Sequence, residues 1–226
     1  MTAIFVPVPF IRVGSSTLIS VRDTVVGTVS AGATATINMP TNGASDVVVC
    51  ILGNDQSGTV APATPSGFTS IIDEASSSGN ARAAYCVNPG ASISYTNTHA
   101  TRDMAYIFRT YSRVDTASVL SGTPTENGTG DGDPNPPSMT TSHNNAMVVA
   151  CAVVSEITAT GYSAGTGYTE LTVTAAVDPD GSTQSCVVMM ANKLVPTAGA
   201  ENPGAFTNAS VGTADTFAFT FALKPA

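Results

Sequence analysis

Apolar residues follow two patterns along this chain, and both belong to β-strands. From Thr28 to Met39 they alternate: Val29, Ala31, Ala33, Ala35, Ile37 and Met39 are interleaved with small and polar residues. A period of two marks a strand with one face buried. From Val47 to Leu52 the run VVVCIL is unbroken, as expected of a strand covered on both faces. Asn42–Gly43 supplies the turn between them. Further strands are predicted at Phe68–Ile72, Arg82–Val87, Ala91–Thr96 and Met104–Tyr111. A loop with Pro62 and Pro65, the stretch SSSGN and the turn Asn88-Pro89-Gly90 separate them. No window of about 11 residues holds helical periodicity.

The same passage then returns roughly a hundred residues later, the kind of self-similarity that points to a repeat. Ser45–Leu52 is answered by Asn145–Val154, with Cys151 in the place of Cys50. PSGFTSI with Phe68 is answered by GTGYTEL with Tyr168, and Cys86 by Cys186. Asp103 before YIF is answered by Asp215 before FAFTF. The order never changes, so a duplication is expected; chance likeness among short strands is the plainer alternative. Between the halves lies Ser121–Pro137, SGTPTENGTGDGDPNPP, whose Gly, Pro, Asn and Asp content reads as a surface loop. Asp178-Pro179-Asp180-Gly181 reads as a hairpin turn, and Phe217–Leu223 as the last strand.

The organisation that follows is all-β: a jelly-roll-like β-sandwich with an extended N-terminal arm at residues 1–26 and a single domain at 27–226. Pseudo-repeats at about 45–111 and 145–223 are joined by the linker loop 121–137. The arm presents Phe5, Val6, Val8, Phe10, Ile11 and Val13, with Ile4, as apolar residues. Pro7 and Pro9 lack the N–H a central strand would donate, so the segment favours an edge or polyproline conformation. An apolar arm of this kind is expected to dock, either across its own domain or on a partner.

Composition narrows the function classes. The net charge is −8, with only two lysines, Lys193 and Lys224. That argues against nucleic-acid binding, which needs a basic footprint, and against an anionic membrane surface. No apolar run reaches the length of a membrane span, and the start lacks the basic region of a signal peptide. The four cysteines sit in apolar runs without Cys-x-x-Cys spacing, so buried reduced thiols are expected rather than zinc ligands or disulfides.

Candidate chemistry is sparse. Gly161-Tyr162-Ser163-Ala164-Gly165 matches G-x-S-x-G, but that motif works on a turn from strand into helix with a His following. Here a strand-like TELTV follows, and His99 and His143 both precede Ser163. Asp131-Gly132-Asp133 is a fragment of a calcium loop without its later acids. The two histidines have no His, Cys or Glu at ligand spacing. With no Trp, a stacking platform for sugars would rest on Tyr162 and Tyr168. No catalytic residue, metal site or cofactor is expected.

The segments Asp46–Leu52, Pro65–Thr69, Tyr111–Asp115 and Leu223–Pro225 together resemble a loosely defined class of phage-encoded β-sandwich proteins. In these a D-hydrophobic run, a P-x-G-F/W-T turn and a Y-R-x-V-D segment precede a second half ending in L-K-P. The resemblance covers about residues 28–226. It departs at Phe68, where Trp is frequent, and at Ser112-Arg113, which replaces a simple Arg-Gly. It implies a non-enzymatic virion protein assembled in the host cytoplasm. The first expectation is a capsid decoration or cement protein, homo-oligomeric and contacting the major capsid or other virion proteins. The alternative is a tail- or fibre-associated module that binds carbohydrate.

Overall fold

The computed structural model describes residues 18–55, 60–75, 79–155, 161–177, 185–208 and 215–226. The first half contributes strands β1 (Ser20–Val29), β2 (Thr34–Asn38), β3 (Val47–Asn54), β4 (Thr69–Ala75), β5 (Asn80–Val87), β6 (Ser92–Thr96) and β7 (Met104–Ser112). The second contributes β8 (Thr125–Asp131), β9 (Met139–Thr140), β10 (Ala146–Ser155), β11 (Thr169–Val177), β12 (Ser185–Val195), β13 (Ala200–Glu201) and β14 (Asp215–Leu223).

Two five-stranded antiparallel sheets stack face to face as a β-sandwich, in the orders β1-β7-β3-β5-β4 and β8-β14-β10-β12-β11. The second order is the first with each strand number raised by seven. The small ribbons match in the same way, β2 with β6 and β9 with β13. Each sheet is built wholly from one half of the chain, and the halves meet in one central core. Val49, Ile51 and Ile107 of the first sheet pack there against Val149, Val188 and Phe219 of the second.

Each sheet is also covered on its outer face. The β2–β6 ribbon lays Ile37 and Tyr95 over Val48, Cys50, Leu52 and Phe108. On the other side, Met139, Tyr162, Tyr168 and Phe206 cover Val148, Val187 and Met189. Every residue of β3 and of β10 is therefore buried, which is why both strands read as unbroken apolar runs. Burying a large aliphatic or aromatic side chain stabilises by about 1.5–3 kcal/mol, and both faces of these strands contribute.

Local turn chemistry repeats as well. Phe68 N donates to Pro65 O at 3.0 Å and Tyr168 N to Gly165 O at 3.1 Å. The residue before each aromatic, Gly67 or Gly167, holds a φ near +82° or +83°, which a side chain resists. A register shift follows directly, between Ser70 and Ile72 in one half and between Thr169 and Thr172 in the other.

Four expectations need correction. Cys50 and Cys151 are not equivalent: Cys50 lies under the β2–β6 ribbon, whereas Cys151 points into the central core. The sequence match is one residue out of register, and one residue turns a strand side chain to the opposite face. Cys86 stands opposite Val48 and Cys186 opposite Ser155, so these two sit at opposite ends of their strand pairs. Residues 20–26, placed in the arm by sequence, belong to β1 and pair with β7. Thr28–Met39 is two strands, broken by a turn at Ala31–Gly32. Within 121–137, Thr125–Asp131 is a strand, β8, on the edge of its sheet, where glycine-rich sequence need satisfy only one neighbour. The arm residues Phe5, Val6, Val8, Phe10, Ile11 and Val13 and the turn 178–181 lie outside the described residues.

All four cysteines are free thiols, with Cys50, Cys151 and Cys186 buried and Cys86 half-buried. Burial pushes the Cys86 thiol up from its ordinary value, so its thiolate is scarce. A thiol reagent should label one cysteine slowly in the native protein and all four in denaturant without reductant. Fewer than four in denaturant would reveal a disulfide. The central core also makes a packing prediction. A Cβ on Gly53 would lie 2.6 Å from Val153 Cγ1 and 2.9 Å from Val188 Cγ2. Gly53→Ala should therefore destabilise by about 1–3 kcal/mol through overpacking, read from denaturant melts.

Candidate functional site

A sandwich with three apolar cores can hold polar side chains only where hydrogen bonds replace the lost water. The largest such group lies between the sheets at the β1–β11 edge and centres on Arg109 of β7, which is 1% exposed. Its Nε donates to Thr24 Oγ1 at 3.0 Å, Nη1 to Asn192 Oδ1 at 2.8 Å, and Nη2 to Glu170 O at 2.8 Å and to Thr172 Oγ1. Tyr111 donates its hydroxyl to the same Asn192 Oδ1 at 2.6 Å. Asn192 Nδ2 in turn donates to Glu170 Oε2 at 2.7 Å, so a neutral amide carries the contact from guanidinium to carboxylate. Glu170 adopts φ +54° at the β11 register shift. That conformation turns its carbonyl to Arg109 while its side chain reaches Asn192.

This group joins β1 and β7 of one sheet to β11 and β12 of the other. Its acid–base behaviour suits a brace. Burial drives the Tyr111 phenol far above its ordinary value, with Arg109 pulling the other way, so it remains a hydrogen-bond donor. Tyr111 is therefore not poised to exchange a proton near neutrality. Sequence reading missed this group, although a signal existed: Arg109 and Asn192 interrupt the otherwise apolar strands MAYIFRTYS and SCVVMMANKLV.

The segments Tyr111–Asp115 and Leu223–Pro225 meet in space. Asp115 N donates to Lys224 O at 2.9 Å, Ala226 N to Arg113 O at 3.0 Å, and Val114 bridges Pro225. Lys224 Nζ pairs with Asp115 Oδ2 at 2.7 Å, which together with the Ala117 and Ser118 amides lowers the Asp115 carboxyl below its ordinary value. The Tyr111–Asp115 and Leu223–Pro225 stretches thus tie the exit of the first half to the end of the second. Asp46, heading the first apolar run, accepts from Gly43 N at 2.7 Å and pairs with Arg22 at 3.2 Å.

The other sequence candidates occupy structural positions. Ser163 exchanges backbone hydrogen bonds with Thr207, both at 3.0 Å, and a turn and strand follow it rather than a helix. Gly165 is required by packing, since a Cβ there would lie 1.8 Å from Pro203 O. Tyr162 and Tyr168 are 7% and 8% exposed. Both pack into the outer core of the second sheet, and burial raises both phenols, Tyr162 to about 12. Lys193 lies 5.8 Å from the Tyr168 ring centre and pairs with Glu201 at 2.6 Å. His99 is buried, which lowers its pKa. His143 Nδ1 meets Ser142 Oγ at 2.9 Å and Ser121 Oγ at 3.2 Å. Asp133 accepts from Asn208 N at 3.0 Å.

The structure brings none of Ser163, His99, His143 and Asp133 together as a nucleophile and base; the side chain of Asp131 lies outside the described ones. Among the described residues, no group of three His, Cys, Asp or Glu could hold a metal ion. Two shallow depressions lie on the outer faces, of about 360 Å³ beside Met39, Asn42 and Asn88 and about 330 Å³ beside Thr125, Met139 and Ala200. Neither contains an acid, base or aromatic side chain. Compared with protein-family models, curated proteins and solved structures, the chain matches none of them.

The brace makes a sharp prediction. Arg109→Met should cost about 3–5 kcal/mol, the range for removing one member of a buried charged network. Arg109→Lys should recover little, because a point charge lacks the planar fork that reaches Thr24, Asn192 and Glu170 at once. Denaturant melts that place Arg109→Lys with the parent protein would refute the bracing role.

Proposed function

We propose that this chain is a non-enzymatic structural component of a phage particle, a capsid decoration or cement protein that docks through residues 4–13 of its apolar arm. Its partners would be the major capsid protein or other virion proteins, and further copies of itself. The supporting observation is the contrast between sandwich and arm. Both sheets are covered on both faces by described residues from Ile19 onwards, so the sandwich has its cores without drawing on the arm's apolar side chains. Leaving seven such side chains, Ile4 to Val13, in water is unfavourable by about 1.5–3 kcal/mol for each large one. Docking on a partner removes that cost, and Pro7 and Pro9 reduce the entropy lost in doing so.

The polar groups fit this reading. Arg109, Asp115 and Lys224 are spent on holding the two halves together. The carbohydrate-binding alternative ranks lower because Tyr162 and Tyr168 are packed inward, and the exposed large apolar residues among those described are Leu18, Val26 and Val60, none of them aromatic.

Deleting residues 2–13 tests the reading. The truncated chain should fold, melt close to the parent and stay soluble, yet fail to join the particle or its own oligomer in sedimentation and particle co-purification. Normal incorporation would overturn the docking role. Loss of folding would place the arm in the sandwich's own core instead.

A further inference from the structure

Two Asn-Gly pairs occur in the sequence, Asn42-Gly43 and Asn127-Gly128, and the fold holds them differently. A glycine nitrogen reaches the preceding asparagine side chain more readily than any other, because no Cβ hinders the approach. Whether it does so depends on what fixes the amide and the backbone around it. Asn42 is fixed. Its Nδ2 donates to Pro40 O and to Gly90 O, each at 2.9 Å, so turning the side chain toward Gly43 breaks two hydrogen bonds. Gly43 N is engaged as well, donating to Asp46 Oδ2 at 2.7 Å. Asp46 is 4% exposed and paired with Arg22 at 3.2 Å, which holds this turn from its far side.

Asn127 has none of these restraints. It is exposed, and among the described residues no hydrogen bond holds its side-chain amide. It lies on β8, the terminal strand of its sheet, whose neighbour is β14. Asn127 stands opposite Ala218 and Gly130 opposite Thr216, so Gly128 and Thr129 together face Phe217. That is a β-bulge, where an extra residue leaves the ladder and the strand bends. The bulge begins at the nitrogen that would attack.

We propose that Asn127 is a self-modification site, where the chain converts its own asparagine to aspartate and isoaspartate through the Gly128 backbone nitrogen. That nitrogen loses its proton to a solvent base and bonds to Asn127 Cγ. The Cγ–Nδ2 bond breaks, and Nδ2 takes up a proton and leaves as ammonia. The product is a cyclic succinimide, which water then opens at either carbonyl. Attack at the former side-chain carbonyl leaves aspartate. Attack at the main-chain carbonyl leaves isoaspartate, with a methylene inserted into the backbone. One water is consumed and one ammonia released. Either product adds a negative charge to a strand that already carries Glu126 and Asp131. Isoaspartate also displaces the register beyond position 127, where Gly130 and Asp131 pair with β14. A terminal strand is held by a single neighbour, so β8 loosens while β10, β12 and β14 keep their cores.

The test is to hold the full chain in mildly alkaline buffer at physiological temperature and map its peptides by mass spectrometry. The peptide with Asn127 should gain one mass unit and split into aspartate and isoaspartate forms, while the peptide with Asn42 lags several-fold behind. In denaturant both pairs are released, and the two rates should converge. Gly128→Val should slow the conversion several-fold in native and denatured chains alike, because a branched side chain hinders the attack. Equal native rates at Asn42 and Asn127 would overturn the proposal, as would a ratio that denaturant leaves unchanged. So would an Asn127 that reacts in denaturant alone, or conversion to aspartate without isoaspartate, which bypasses the succinimide.

Discussion

Both sheets of this protein are covered on both faces, and most of the structure follows from that one constraint. A strand buried on each side has no polar face, so β3 and β10 carry apolar residues at every position that packs. It also has no room for error in register. A slip of one residue exchanges the two buried faces, and the two faces of β3 meet different partners, Val149 and Val188 on one side and Ile37 and Tyr95 on the other. The same constraint explains the use of glycine where elements approach closely, as at Gly53 against Val153 and Gly165 against Pro203.

The buried guanidinium lies where the stack ends. At the β1–β11 edge, three side chains and a main-chain carbonyl accept from one buried guanidinium. That edge resists opening because separating the sheets would strand an arginine among apolar groups. The halves share a strand order, and β1 and β11 meet through Thr24, Thr172 and Glu170 around Arg109.

This economy bears on function. The side chains that could have served as nucleophile, base or sugar platform are instead occupied in turns, bridges and covering layers. What remains distinctive among the described residues is the braced stack itself.

Much of the fold was legible in the chain itself. Alternating and unbroken apolar runs identified strands, glycine and proline clusters identified turns, and the paired passages around Phe68 and Tyr168 matched the two halves at the correct register. These signals are local, because a side chain's preference for a pleated or turning backbone acts over a few residues. The cysteines misled for the complementary reason: Cys50 and Cys151 look alike in apolar runs, and only pairing with neighbouring strands decides which face each one takes. β8 was hidden in a glycine-rich stretch because an edge strand needs one partner, and that partner, β14, lies nearly ninety residues further along. The Arg109 brace left a trace in the sequence, polar residues inside apolar strands, but its partners could not be read there, since it joins strands of different sheets. Sequence determined which residues could form strands; the stacking of the sheets decided which polar groups would meet, because that contact exists only once both sheets are closed over a common core.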